Sequence, residues 1–289
     1  MVDLHVHSTH SDGTLTPARL VEEAMWAGLT ALALTDHDTI SGNDEFLAAG
    51  AARGLHVIAG VEISAQYENP ELDGSRDGEM HILGYFPHWN PATAAKLAPL
   101  SRIRSARNER NPKIIARLQT LGCNLSYDEV VALAGNEVVG RPHIAAVLVA
   151  KGYAKNSQDA FNRYLAKGAP AYVPKAIFPQ RDAVQLIAQA GGLPVLAHPK
   201  LLGITSIKLL EQIVESLIDA GLRGIEAYYS SHQPADVECY LAIAQRYGLL
   251  VTGGSDFHGA NKPRIQLGRG FGSLNVPDSC ARALLDSIT

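Results

Sequence analysis

The sequence predicts an α/β barrel interrupted by a block of helices, and three observations carry that expectation. The chain has 289 residues, a length that suits one barrel with an insertion. Near-continuous apolar runs alternate with helical periodicity, the pattern of a parallel sheet covered on both faces. Between residues 92 and 178 the apolar runs stop and only helical patterns remain. Residues 1–91 and 179–289 are therefore expected to form the barrel, and 92–178 a helical insertion folded over its functional edge.

The elements follow in order. Residues 2–7 read as a strand. Thr16 is placed to cap a helix that Pro17 begins, and Gly28 to end it. Thr30 to Thr35 is a short apolar strand, residues 43–53 a second helix stopped by Gly54, and Leu55 to Ile63 a third strand. Asn69-Pro70 and Asp73-Gly74 mark a loop or hairpin before the strand Glu79 to Tyr85. In the insertion, Arg102 to Leu121 is helical, with Asn111-Pro112 as an expected break where Asn111 would cap a second helix. Ser126-Tyr127-Asp128-Glu129 resembles a capping box, Arg141 opens another helix, and Asp159 to Leu165 forms a further one. The alternation then resumes: helices over 180–190, 206–220 and 234–247 each lead to a strand, Leu193 to Ala197, Gly224 to Tyr228 and Leu249 to Gly253.

Composition narrows the function classes. The chain is 46% hydrophobic and 19% charged with a net charge of −4, an ordinary globular balance that argues against binding nucleic acid by bulk charge. Cys123, Cys239 and Cys280 are odd in number and scattered, which suggests reduced thiols rather than a disulfide framework. With no secretory signal and no apolar run near the ~20 residues of a membrane helix, a cytoplasmic protein without a membrane partner is expected. Nothing in the sequence suggests an obligate protein partner.

The chemistry-bearing residues cluster at the strand ends. Asp3-Leu4-His5-Val6-His7 places two imidazoles on one face of a strand, and Asp12 follows on the next loop. Thr35-Asp36-His37-Asp38, Gly60-Val61-Glu62, Met80-His81-Ile82, Ala197-His198-Pro199 and Ser255-Asp256-Phe257-His258 each follow or end an apolar run. His5, His7, Asp12, His37, Glu62, His81, His198, Asp256 and His258 thus supply six imidazoles and three carboxylates. That mixture suits manganese, zinc or iron, and nine ligands exceed what one ion can use. Two or three divalent ions would leave the centre positive and attractive to an oxyanion. Surface or packing roles account better for His56, His88 and His232. Arg141 and His143, at a helix start, are candidates to bind phosphate, as is Lys175 where the chain re-enters the barrel. Arg102, Arg107, Arg110, Lys113 and Arg117 would share a basic helix face, read here as solvated. Tyr228 and Tyr229 could stack a base or serve as core or rim residues.

This motif set resembles that of the PHP (polymerase and histidinol phosphatase) family, and it looks closest to its stand-alone phosphoesterases of nucleotides and RNA ends. The resemblance covers nearly the whole chain, including Gly140-Arg141-Pro142-His143-Ile144-Ala145. It implies a distorted (β/α)7 TIM-like barrel. One metal would be held by His5, His7, Glu62 and Asp256. A second would share Glu62 and add His81 and His198, and a third would take Asp12, His37 and His258. The implied reaction is hydrolysis of a phosphate ester by a metal-bridging hydroxide, with a metal-bound water, or a strand-end group such as His258 or Asp256, to protonate the leaving oxygen. The implied substrate is a nucleoside 3′,5′-bisphosphate or a short RNA or DNA oligonucleotide end. A histidinol-phosphatase-like activity, C–N bond hydrolysis and a non-enzymatic metal-binding module are the competing expectations.

Overall fold

A computed structural model of the chain describes residues 1–67, 78–134, 139–174 and 177–287. The described residues divide into two compact units, one of Met1–Tyr67, Glu79–Leu100 and residues from Phe178 onward, the other comprising Gly78 and most of Ser101–Ile177.

The first unit is a nearly closed barrel. Its strands are β1 (Val2–Val6), β2 (Ala31–Leu34), β3 (His56–Gln66), β4 (Glu79–Phe86), the two-residue β5 (Phe178–Pro179), β6 (Leu193–Leu196), β7 (Gly224–Tyr229) and β8 (Leu250–Gly254). They pair in the order β1-β2-β3-β4-β6-β7-β8, with β5 added to β3. The ring closes where Asp256 N–H donates to the His5 carbonyl (2.8 Å) and His7 N–H to the Phe257 carbonyl (3.0 Å).

The sheet departs from the all-parallel expectation at one strand. β4 runs antiparallel to both β3 and β6. Twelve residues separate Gln66 from Glu79, and antiparallel neighbours need no crossover helix between them. The reversal brings the start of β4 to the carboxyl end of β3, so that His81 lies opposite Ser64. His81 therefore opens its strand rather than ending it, and Glu62 lies inside the eleven-residue β3.

Helices cover the outside. α1 (Pro17–Trp26) begins as its sequence suggests, with Thr16 Oγ1 accepting from Arg19 N–H, and α2 (Asn43–Arg53) ends at Gly54 in the left-handed region (φ 70°). Both pack Leu20, Val21 and Phe46 against Val6, Leu32 and Leu34. α3 (Pro91–Lys96) starts at Asn90, whose Oδ1 accepts from Ala92 and Thr93. Beyond it, α8 (Gln180–Gln189), α9 (Ile207–Ile218) and α10 (Pro234–Tyr247) cover the strands with Val184, Ile187, Val214 and Ile243. A separate buried cluster takes Leu4, Ala33, Ile58, Leu83, Tyr85 and Val195 from successive strands, and α11 (Asp278–Asp286) adds Cys280 and Leu284. This cluster fills one end of the barrel, and the polar strand ends occupy the other.

The second unit holds α4 (Leu100–Thr120), α5 (Tyr127–Ala134), α6 (Arg141–Ala150), α7 (Ser157–Ala160) and a π-helical turn over Phe161–Leu165. Its core is Ile114, Leu118, Leu125, Val130, Ile144, Leu148 and Leu165. α4 is continuous through Pro112, contrary to the expected break, because Asn111 donates its side-chain amide to the Val139 carbonyl (2.7 Å) instead of capping a new helix. The capping box before α5 forms: Ser126 N–H donates to Glu129 (2.7 Å) and Glu129 N–H to Ser126 Oγ (3.2 Å). Among the described residues no helix is long and apolar enough to cross a membrane.

Candidate metal centre

Nine of the side chains singled out from the sequence meet at the polar end of the barrel, and the backbone explains how. After β1, Asp36 gathers the next loop by accepting from Ser8 N–H (2.7 Å), Ser8 Oγ–H (2.6 Å) and Ser11 Oγ–H (2.6 Å), which sets the approach of Asp12. Gly13 completes the turn, and a Cβ there would lie 2.1 Å from the His7 carbonyl oxygen. Past β2, His37 pairs with Glu62 in a parallel bridge. Asp38 (φ 53°), His198 (φ 26°) and Asp256 (φ 59°) are the non-glycine residues with positive φ among the described residues. All three follow strand ends, so backbone strain is concentrated where the donors converge.

Glu62 is the hub. Its Oε1 lies 2.7 Å from His81 Nδ1 and 3.0 Å from His198 Nε2. Its Oε2 lies 3.0 Å from His37 Nδ1, 3.2 Å from His5 Nε2 and 3.3 Å from His7 Nε2. Asp256 Oδ1 faces His7 Nε2 at 3.2 Å and His5 Nε2 at 3.7 Å. Asp12 lies 3.2 Å from His258 Nε2 and 3.8 Å from His37 Nε2. The close groups are His5-His7-Glu62-Asp256, His7-Asp12-His37-His258 and His37-Glu62-His81. His198 reaches only the Glu62 edge, and His37 stands between two groups.

The donor set fits divalent cations. Donor separations of 3.0–3.8 Å match the edges of a coordination shell with bonds of about 2.0–2.2 Å. His5 Nε2, His7 Nδ1 and Nε2, Asp12 Oδ1, Glu62 Oε2 and His198 Nδ1 are buried without a hydrogen-bond partner among the described residues. Unsatisfied buried polar atoms are costly in a folded core. Divalent ions would satisfy most of these atoms together.

Without such ions the centre holds protons. Burial lowers the His7 imidazole, but the Asp256 and Glu62 carboxylates facing its Nε2 at 3.2 and 3.3 Å outweigh it and raise it to about 9. Burial likewise opposes, and the Glu62 charge overrides, at His81, which is raised to about 10. Burial would raise the Asp256 carboxyl, but the His7 imidazole beside it and the charges of His5 and Lys262 hold it well below the usual carboxylate range. His258 is lowered, chiefly by burial. Its Nδ1 is within 2.8 Å of the Asp256 carbonyl, an arrangement that leaves Nε2 toward Asp12.

Several supporting residues escaped the sequence reading. Asp3 accepts from His5 N–H (3.3 Å), Ser255 N–H (2.8 Å) and Gly268 N–H (2.7 Å), tying β1 to the loops beyond β8. Asp38 accepts from Ser64 N–H at 2.8 Å. Tyr229 O–H donates to Asp256 Oδ2 (2.8 Å) and Lys262 Nζ donates to the same oxygen (2.7 Å). Glu226 accepts from His5 and His198. Asp3, Asp36 and Asp38 lie inside the motifs already noted, and Glu226 is a lone charge in the apolar strand Gly-Ile-Glu-Ala-Tyr-Tyr. A buried charge in such a run is the signal that could have found it.

The remaining candidates belong to the second unit. Arg141 is in the helical unit, with its guanidinium 5.8 Å from the centres of both the Phe161 and Tyr172 rings and Nη1 on the Leu165 carbonyl (3.3 Å). His143 Nδ1 accepts from Gly140 N–H (3.1 Å). Lys175 and the side chain of Arg107 lie outside the described residues. On the basic face of α4, Arg110 donates to the Val173 carbonyl (2.8 Å), and Arg117 to that of Tyr172. Those two arginines brace a neighbouring segment.

Comparison with known proteins agrees with this geometry. A model of the PHP domain matches residues 3–167. The chain is 36% identical to the 3′,5′-nucleoside bisphosphate phosphatase of Chromobacterium violaceum, over 89% of this chain and 87% of that protein. It is 35% identical to a 5′-3′ exoribonuclease of Haemophilus influenzae, over 89% of each. A solved structure from Bifidobacterium adolescentis, assigned to the metal-dependent phosphoesterases, superposes with a TM-score of 0.75 at 32% identity, covering 98% of this chain and 95% of its own.

Proposed function

We propose, on the premise that this chain belongs to the PHP domain family and is a metal-dependent phosphoesterase, that it hydrolyses phosphate esters of nucleotides. The preferred substrate is a nucleoside 3′,5′-bisphosphate, cleaved to a nucleoside monophosphate and phosphate, or the end of a short oligonucleotide. The observation that carries the reading is Glu62, whose two oxygens face different imidazole sets within a cluster of otherwise unsatisfied donors. The names of the two relatives support the nucleotide half of the reading.

His5, His7, Glu62 and Asp256 would hold one ion, Glu62 with His81 and His198 a second, and Asp12, His37 and His258 a third; manganese suits this mixed donor set. Bound divalent ions supply Lewis acidity toward phosphoryl oxygens and an activated water nucleophile near neutral pH. The protein's own contribution is positional. Tyr229 and Lys262 fix Asp256 Oδ2, so that Oδ1 is the oxygen turned toward the donors. The Asp256 carbonyl engages His258 Nδ1, so that Nε2 is the nitrogen available on the open side. His258 or Asp256 is proposed to pass a proton to the leaving oxygen. Arg141, His143 and Lys175 are proposed as phosphate contacts.

The test is to load the protein with manganese and offer adenosine 3′,5′-bisphosphate and, separately, a short 5′-phosphorylated RNA. Phosphate and AMP from the first are expected, and mononucleotides from the second would add exonuclease activity. Failure on both substrates, with turnover of histidinol phosphate or release of an amine from an amide, would overturn the nucleotide reading.

A further inference from the structure

Glu226 is fully buried in β7 and belongs to none of the donor groups. Its Oε1 is 2.9 Å from His5 Nδ1, and its Oε2 accepts the backbone N–H of His198 at 2.8 Å. These partners stand on opposite sides of the Glu62 hub: His5 Nε2 faces Glu62 Oε2, and His198 Nε2 faces Glu62 Oε1.

We propose that Glu226 is a positioning residue that organises both sides of the centre at once, orienting His5 through its ring and His198 through its backbone. The inference rests on the metal-centre reading above. At His5, a carboxylate on Nδ1 selects the tautomer with the proton there, leaving the Nε2 lone pair turned toward Glu62 and Asp256. Such outer carboxylates fix ring orientation and raise ligand basicity. At His198, the same group anchors a peptide held at φ 26°, a conformation that an L-residue keeps only when its surroundings impose it. Glu226 therefore links the end of β6 to β1 through one side chain.

Only a carboxylate serves both partners, because both are donors and both oxygens must accept. A glutamine offers one acceptor and one donor. In Glu226→Gln the amide would either present N–H to the His198 N–H or present it to His5 Nδ1. The second arrangement drives the His5 proton onto Nε2 and removes that nitrogen as a ligand. Either way one side of the centre is damaged, and because the sides share Glu62 both are expected to weaken.

The experiment titrates manganese and zinc into the metal-stripped full-length wild type and Glu226→Gln, following stoichiometry and affinity by calorimetry and fold by circular dichroism. The two binding events that involve His5 and His198 are expected to weaken by about 10- to 100-fold in Glu226→Gln, and a third at Asp12, His37 and His258 to change less. Glu226→Asp, which keeps two acceptors on a shorter stem, should fall between the two. Weakening of one event alone, or of neither, overturns the proposal, as does a change confined to melting temperature. Nitrogen NMR of the zinc-loaded wild type decides independently should Glu226→Gln fail to fold. His5 must carry its proton on Nδ1 and its metal on Nε2, and the opposite tautomer overturns the proposal. A wild type that binds no divalent ion would instead refute the metal-centre reading.

Discussion

Removing metal from this protein should make its stability fall as pH rises from 6.5 to 9.5, and His7 is one of three imidazoles, with His5 and His81, that drive the effect. In the metal-free chain the His7 imidazole is raised from the ordinary 6.5 to about 9, because the facing carboxylates of Asp256 and Glu62 outweigh burial. A group whose pKa is higher in the folded than in the unfolded chain stabilises the fold fully below the unfolded value. That contribution is lost as pH rises through the folded value. A rise of this size corresponds to about 3 kcal/mol, the product of the shift and ~1.4 kcal/mol per unit. His5 and His81 are raised as well, so they add to the loss in the same direction. For a chain of this length about 3 kcal/mol corresponds to roughly 5–10 °C in melting temperature. Metal binding requires the neutral imidazoles, so loading should release protons and tighten by about tenfold per pH unit for each proton displaced. Melting curves of stripped and manganese-loaded protein at pH 6.5 and 9.5 measure the first effect. Calorimetry in two buffers of different ionisation enthalpy counts the protons. The reasoning is refuted if stripped and loaded protein change equally with pH, or if binding at pH 7 releases no protons.

Other perturbations separate the centre from the scaffold. His7→Ala and Asp256→Ala should each abolish phosphoesterase activity with the circular dichroism spectrum retained, and full activity in either would remove that residue from the centre. Tyr229→Phe leaves Lys262 alone on Asp256 Oδ2, so the double variant Tyr229→Phe/Lys262→Met should lose about tenfold in metal affinity, measured by chelator competition. Gly13→Ala forces a Cβ to within 2.1 Å of the His7 carbonyl oxygen, so the loop must move and metal content should drop by one ion in elemental analysis; unchanged content would show that Asp12 is dispensable. Phe46→Ala, in the core beneath α1 and α2, should cost about 3–5 kcal/mol in urea denaturation while the remaining folded enzyme keeps its kcat.

The donors were legible because metal ligation uses few residue types and the barrel repeats one device. A strand ends, and the next residues point into a common space. His5-Val6-His7, Asp36-His37 and Asp256-Phe257-His258 each display that device within a few positions, so local sequence was enough to name them. The capping box at Ser126 and the Thr16-Pro17 helix start were readable for the same reason, since their hydrogen bonds close within four residues. Three features could not be read this way. The reversal of β4 depends on which strand β3 meets next, and it turned His81 from a strand end into a strand beginning. Helix α4 passes through Pro112 because Asn111 finds Val139, 28 residues away. Glu226 takes its meaning from His5, 221 residues distant, and from His198. The sequence by itself determined which side chains gather at the polar end of the barrel, since residue type and short-range spacing are local properties. Tertiary structure alone decided which carboxylates face the imidazole cluster and which ones brace it from behind, because that depends on hydrogen bonds between segments brought together only when the barrel closes.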